Sequence, residues 1–131
     1  MRLTNPGAGE VSDRLTILAL KILIGTEQGK DVKHFANERT ALLTKLGAQT
    51  LNGAWFDHVL DLAAVNAALW HAEDDLRDVR REQCMGADIY MKLLPHAGEL
   101  GIRIQSLNDQ RAGLVQAINE KTGNNLGEEK L

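Results

Sequence analysis

Apolar residues recur at helical spacing along most of the chain, and this pattern predicts four principal helices. In the first, residues 10–27, the apolar side chains keep a 4-3-4 spacing at Val11, Leu15, Leu18 and Ile22, which places them on one face of a helix. The other side of this segment is apolar too, so the helix is expected to be covered from several directions. A buried strand over residues 15–24 is the rival interpretation, and the length of the segment and its lack of alternation favour the helix.

The next two helices are predicted from their capping residues and their periodicity. Asp31 can cap a second helix that continues to about residue 46, since an aspartate side chain accepts hydrogen bonds from the first free backbone N–H groups. A third helix is predicted from Asn52 or Gly53 to about Cys84. Its length is roughly 30 residues, or about 45 Å at 1.5 Å per residue, so it needs neighbours along its whole length.

The last part of the chain is predicted to hold the fourth principal helix. A short helical segment over residues 88–94 precedes Pro95, and proline is well suited to the first turn of a helix. We therefore expect the long final helix to run from Pro95 to about residue 121, followed by a polar tail over residues 122–131. The predicted fold class is all-α: one domain, residues 1–131, formed by an antiparallel bundle of four principal helices, two of them long.

Composition and charge restrict the setting in which the protein works. The net charge is −3, without the basic excess that a nucleic-acid backbone demands, so no nucleic-acid partner is expected. Cys84 is the single cysteine, which excludes an internal disulfide and a multi-cysteine zinc site and favours the cytoplasm. The longest apolar run, residues 15–24, is well short of the roughly 20 residues that span a bilayer, so no membrane association is expected.

Polar residues interrupt the apolar face of the third predicted helix. With Asn66 at zero and a rotation of about 100° per residue, Glu73 falls near −20°, Arg77 near +20° and Trp70 near +40°. Asp74 lies at the edge of this stripe, near +80° by the same rotation. Because a buried charge without a partner is very costly, a polar group within an apolar face predicts pairing with another helix.

The final helix repeats this pattern, with Arg111 and Asn108 lying within its apolar face. We predict that Arg111 pairs across the helix interface with Glu73 or Asp74, because mutual neutralisation is the least costly way to bury both charges. Asn66 and Asn108 are expected to complete the hydrogen bonds, and Asp13, on the apolar face of the first helix, is a further candidate to join them.

These side chains form the candidate site, and no catalytic residue is assigned among them. Two interpretations remain open: a structural polar network that fixes the register of the helices, or a ligand-binding site. The sequence leaves the metal ligands, if the site has any, unknown. The candidate residues are Asp13, Asn66, Trp70, Glu73, Asp74, Arg77, Asn108 and Arg111.

Two blocks of this sequence resemble the signature of a family of small bacterial all-helical proteins known only as a domain of unknown function. The blocks are Asn66-x-x-Leu69-Trp70-x-x-Glu73-Asp74-x-x-Arg77 and Asn108-Asp109-x-Arg111-x-x-Leu114-x-x-x-Ile118-Asn119. The resemblance extends to the segment around Asp13 and to Glu128-Glu129-Lys130. It implies an all-helical fold, but it supplies no activity, substrate or mechanism.

The expected function is that of a helical binding or assembly module, with a homodimer or another protein as partner and no cofactor. The alternative is an enzyme similar to the metal-dependent nucleotide pyrophosphohydrolases, whose all-helical members hold Mg²⁺ with acidic pairs on adjacent helices. The spacing Glu10-x-x-Asp13 supplies one such pair. Where a second pair would be needed, the third helix has Arg77 after Glu73-Asp74, which favours ion pairing over metal binding.

Overall fold

The computed structural model describes residues 7–47, 52–82 and 86–122. These residues form four helices and no strand, which confirms the all-α class and the predicted arrangement of four principal helices. Cys84 and residues 123–131 of the predicted tail lie outside the described residues. The helices are α1 (Ala8–Glu27), α2 (Lys33–Leu46), α3 (Gly53–Glu82) and α4 (Ala87–Thr122).

Two of the helix starts are stabilised by the polar residues that the sequence suggested. The Asp31 carboxylate accepts a hydrogen bond from the backbone N–H of Lys33 at 2.9 Å. The Asn52 side chain accepts one from the backbone N–H of Trp55 at 3.0 Å. Both bonds satisfy N–H groups that have no partner within the first turn of a helix, which is why the predicted starts lie within two residues of the observed ones.

Helix α4 is continuous from Ala87 to Thr122, with Pro95 inside it. The predicted break before Pro95 is therefore wrong. Proline has no backbone N–H, so the carbonyl of Met91 receives no helical hydrogen bond from residue 95. Leu93 and Leu100 pack against α3 on either side of Pro95, while Pro95 itself is exposed, and this packing offsets the missing bond.

The chain direction alternates along the bundle. Residues near the start of α1 contact the end of α4, since Gly9 bonds to Asn119 and Asp13 bonds to Arg111; the two helices are therefore antiparallel. Helices α3 and α4 form the most extensive contact, and α1 packs against each of the other three. Among the described residues, the backbone of α2 approaches only α1.

The hydrophobic core has two parts. The first joins all four helices and consists of the buried residues Ala8, Val11, Leu46, Leu62 and Ile118. The second belongs to α3 and α4 alone and is formed by Ala72, Val79 and Leu100, with partly buried neighbours from the same two helices. We call this two-helix region, residues 72–82 and 87–104, the arm. None of the helices in the described ranges is long and apolar enough to cross a membrane.

Candidate functional site

A buried carboxylate on α1 is the centre of the main polar cluster. Asp13 accepts three hydrogen bonds from the guanidinium of Arg111 on α4: from Nη2 at 2.6 Å, and from Nε at 2.9 and 3.0 Å. The side chain of Asp13 is 12% exposed and that of Arg111 is 35% exposed. The contact is thus a partly buried ion pair between residues that are 98 positions apart in the sequence.

Helix α3 joins this ion pair through Asn66. The Asn66 amide nitrogen donates to Asp13 Oδ1 at 2.9 Å and to Thr16 Oγ1 at 2.8 Å, which uses both of its donors. The hydroxyl of Thr16 in turn donates to the backbone carbonyl of Asp13 at 2.8 Å. We call Asp13, Thr16, Asn66 and Arg111 the Asp13 cluster. It connects three helices at one level of the bundle.

The electrostatics of the cluster further stabilise the charged form of Arg111. The hydrogen bond with Asp13 raises the pKa of the Arg111 guanidinium, while burial lowers it. Coulombic attraction to Asp13 and to Glu73 raises the pKa further. Because the charges of Asp13 and Arg111 cancel, the cluster as a whole is close to neutral and carries no excess positive charge for an anionic ligand.

The structure corrects the predicted partner of Arg111. Glu73 is exposed, and Asp74 accepts a hydrogen bond from Arg77 one turn later on its own helix. The prediction was wrong because a helical rotation gives the direction of a side chain but not its level along the axis. Glu73 lies about 10.5 Å further along α3 than Asn66, at 1.5 Å per residue, and it is Asn66 that lies level with Asp13.

The other candidate residues lie outside the hydrogen-bonded cluster. Trp70 is half-buried on α3, and Asn108 is exposed on α4. Arg77 is also exposed, and its ion pair with Asp74 is local to α3. The structure therefore joins Asp13, Asn66 and Arg111 by hydrogen bonds. Of the other five candidates, Asn108 lines the groove beside Asp13 and Arg111, and Glu73 attracts Arg111 through its charge.

A second polar contact, which the candidate list missed, lies where α1 begins. Gly7 precedes α1 and has no side chain to cap it. The side chain of Asn119 on α4 performs this role, because its Oδ1 accepts from the backbone N–H of Gly9 at 2.7 Å. The amide nitrogen of Asn119 also donates to Glu10 Oε1 at 3.1 Å. The sequence signal was an asparagine within the apolar face of α4.

The two helices approach each other very closely at this point. A Cβ atom added at Gly9 would lie 2.2 Å from the backbone carbonyl oxygen of Val115. Such a distance is far shorter than van der Waals contact, so only glycine allows α1 and α4 to pack this tightly. The close approach holds Asn119 near the start of α1 and Arg111 near Asp13.

A groove that opens to solvent runs beside these contacts, between α1 and α4. Its volume is about 600 Å³, and its polar lining includes both carboxylates of the Glu10-x-x-Asp13 pair. Both oxygens of Asp13 accept hydrogen bonds from Arg111, which leaves Glu10 as the carboxylate of the pair that carries no ion pair within the described residues. In the described part of the chain, no group of three or more His, Cys, Asp or Glu side chains is placed to hold a metal ion.

Comparison with known proteins gives no relative from which a function could be transferred. Neither a protein-family model, nor a curated protein, nor a solved structure matches this chain.

Proposed function

We propose that the protein is a helical assembly module, in which the arm docks on a partner protein and the Asp13 cluster holds the helices that carry the arm. The observation that supports this function best is the exposed apolar surface of α4. Met91 is 63% exposed and Ile102 is 72% exposed, and Leu94 lies exposed between them. Concentrations of exposed apolar side chains on a protein surface commonly mark interaction sites.

The construction of the arm supports the same proposal. Its core consists of residues from α3 and α4 alone, whereas the other half of the molecule draws its core from all four helices. A helix pair buries only one side of each helix, and further helices are needed to cover the remaining apolar surface. A docked partner would supply that cover.

The Asp13 cluster fits a positioning role within this module. Asp13 and Arg111 neutralise each other, and Asn66 satisfies further hydrogen bonds of the cluster. A polar cluster of this kind penalises a slipped register of the helices, because a slip would leave a partly buried charge without a partner. The cluster would thereby fix the position from which the arm extends.

The alternative of a nucleotide pyrophosphohydrolase is less well supported by this geometry. Such an enzyme would need the Glu10-x-x-Asp13 pair as metal ligands, and Arg111 already binds the carboxylate of Asp13 on both oxygens.

The proposed setting is the cytoplasm, which suits a chain with one cysteine. The acidic net charge of −3 supports a protein partner in preference to a nucleic acid.

Site-specific photo-cross-linking in cells tests the assembly function. A benzophenone amino acid replaces either Ile102, on the proposed docking surface, or Arg39, an exposed residue of α2 that lies outside the arm and serves as the control. We expect irradiation to give a discrete protein adduct from position 102 and none from position 39. Equal adduct formation at the two positions, or none at either, would contradict the assembly function. The mass of the adduct also distinguishes a second copy of this chain from a different protein.

A further inference from the structure

Four charged residues of α4 form a symmetric pattern. The charges alternate in sign along the helix, in the order Asp88, Lys92, Glu99 and Arg103. Asp88 and Arg103 are equally far from the midpoint between residues 95 and 96, and so are Lys92 and Glu99. All four side chains are exposed. Within the described residues, none of them forms an ion pair, although the spacing of Asp88 to Lys92 and of Glu99 to Arg103 would allow one.

These charges share one side of the helix. Steps of four, seven and four residues, at about 100° each, place them within a sector of about 60°. We call this row the charged edge. The exposed apolar residues lie directly beside it: by the same rotation, Met91, Leu94, Gly98 and Ile102 fall within an adjacent sector of about 80°. We call this second row the outer face.

Two glycines, Gly98 within the outer face and Gly101 beside it, allow another helix to come close. Among the described residues, a Cβ atom added at Gly98 or at Gly101 would meet no side chain beyond those of its two chain neighbours, and no backbone of another helix, within 4 Å. The packing of the described residues therefore does not require glycine at these positions, although glycine costs about 1 kcal/mol relative to alanine inside a helix. Small residues between larger apolar ones let two helix backbones approach each other.

We propose that the partner of the arm is a second copy of this chain, bound so that the two α4 helices are antiparallel and related by a two-fold axis near residues 95 and 96. This inference rests on the proposed function and specifies its partner. In an antiparallel pair, the same edge of both helices meets across the interface. Asp88 then lies opposite Arg103 of the other copy, and Lys92 lies opposite Glu99, which gives four ion pairs.

Other arrangements fit the charges less well. In a parallel, in-register pair, the charged edges of the two copies lie on opposite sides of the interface, so these four charges find no partners in each other. An acidic or a basic peptide would meet like charges at two of the four positions. Of these arrangements, only the antiparallel copy gives every charge of the charged edge an opposite partner and also covers the outer face.

The size of this contact sets the expected affinity. From residue 88 to residue 103, the helix is about 24 Å long at 1.5 Å per residue. A contact of two helices over that length lies at the low end of stable interfaces, which bury about 1,200 Å² or more. We therefore expect a dissociation constant in the micromolar range, and measurements need to extend to several hundred micromolar chain.

Two charge-reversal variants test the antiparallel pairing by sedimentation velocity. The acidic variant combines Lys92→Glu with Arg103→Glu, and the basic variant combines Asp88→Lys with Glu99→Lys. Each variant alone brings only like charges together across the interface, so we expect its self-association to weaken at least about tenfold. An equimolar mixture restores all four pairs as a heterodimer, and we expect its affinity to return to that of the wild type or to exceed it.

A matched control excludes an effect of net charge. Lys33→Glu combined with Arg39→Glu makes the same change in net charge as the acidic variant, at exposed positions of α2. This control should dimerise as the wild type does, and circular dichroism of every variant should show the helical content of the wild type. Loss of dimer in the control as well would contradict the pairing along the charged edge.

The possible outcomes separate the inference from the function on which it rests. A wild-type chain that stays monomeric at several hundred micromolar overturns self-association. So does a mixture of the two variants that associates no better than each variant alone, because charge effects within one helix persist on mixing. If the cross-linker at position 102 nevertheless captures a different protein, the assembly function stands and only its partner was wrong. If it captures none, both fail.

Discussion

Arg111 binds Asp13 through three hydrogen bonds of 2.6, 2.9 and 3.0 Å, and so fastens the last helix of the chain to the first. Asn66 donates to the same carboxylate from α3. Three helices thus share one partly buried negative charge. Asp13 and Arg111 also line the groove between α1 and α4.

The first prediction concerns the energetic value of this ion pair. The substitution Arg111→Leu preserves the helix propensity at this position but leaves the Asp13 carboxylate without its positively charged partner. We expect a loss of about 2 kcal/mol in the free energy of unfolding, between the values typical of exposed and of fully buried ion pairs. The control is Arg77→Leu, because the ion pair of Arg77 with Asp74 is exposed, and its loss should stay below about 0.5 kcal/mol. Urea unfolding of both variants measures the difference, and equal losses would show that the Asp13 cluster adds nothing.

The second prediction concerns the close approach of α1 and α4. The methyl group of Gly9→Ala would collide with the carbonyl oxygen of Val115, so the helices must separate, and we expect a loss of about 2 kcal/mol. At Gly113, an added Cβ atom meets no described atom of another helix within 4 Å. Gly113→Ala should therefore stabilise the protein by about 0.5–1 kcal/mol through helix propensity. Thermal unfolding of the two variants checks both signs, and a stabilising Gly9→Ala would refute the close packing.

The fold was largely predictable from the sequence because its determinants are local. Apolar periodicity identified the four helices, and Asp31 and Asn52 marked two of their starts. The prediction failed at Pro95, where local chemistry favours a helix start. There the apolar contacts of α4 with α3 on both sides of the proline keep the helix continuous, and such tertiary contacts cannot be read from one segment.

The site was predictable only in part, because it depends on how the helices are placed along their axes. Polar residues within apolar faces correctly marked Asn66 and Arg111 as members of an interhelical cluster. The partner of Arg111 was missed, since the pattern gives the direction of each side chain and not which residues lie at the same level. The cap that Asn119 provides for α1 joins residues 110 positions apart, and no local signal specifies such a pair.

The third prediction concerns acid sensitivity at the contact between α1 and α2. Arg14 donates two hydrogen bonds to Glu38, at 2.7 and 2.9 Å, and these bonds lower the pKa of the Glu38 carboxyl below its ordinary value of 4.5. A carboxyl whose pKa is lower in the folded state stabilises the fold above its unfolded-state pKa. That contribution is lost as the pH falls through the folded-state pKa.

The measurement compares Glu38→Gln with the wild type by urea unfolding at pH 7 and at pH 2. At pH 7 the variant should be less stable by under about 1 kcal/mol, because the ion pair is substantially exposed. At pH 2 the two proteins should differ less, because the contribution of the ion pair falls as the pH approaches and passes the lowered pKa of Glu38. Asp61→Asn, at an exposed position within α3, is the control for the loss of one carboxylate, and its effect at pH 7 should stay below about 0.5 kcal/mol. A difference that persists unchanged at pH 2 would argue against the ion pair.

The fourth prediction separates the outer face of α4 from other exposed apolar residues. Replacing Met91, Leu94 and Ile102 together with glutamine should leave the unfolding of a dilute sample nearly unchanged, because these side chains are already exposed. If the outer face associates, the midpoint of thermal unfolding rises with concentration in the wild type and not in this variant.

The control for this prediction replaces three other exposed apolar residues with glutamine. Leu23, Leu43 and Leu60 are each more than half exposed and lie on α1, α2 and α3. This control should keep the concentration dependence of the wild type. A concentration-dependent midpoint that survives in the α4 variant, or disappears in the control, would place the association elsewhere on the surface.

The most direct test of the assembly account is the distance between spin labels on two copies of the chain. A single label is placed by Ser106→Cys or by Gln110→Cys, each in a Cys84→Ser background so that no other thiol reacts. Both positions are exposed on α4. For an antiparallel pair centred between residues 95 and 96, the axial separation is about 32 Å at position 106 and about 44 Å at position 110. Pulsed electron resonance should therefore give a distance about 12 Å longer at position 110. Equal distances at the two positions, or no dipolar coupling between copies at several hundred micromolar, would contradict the account.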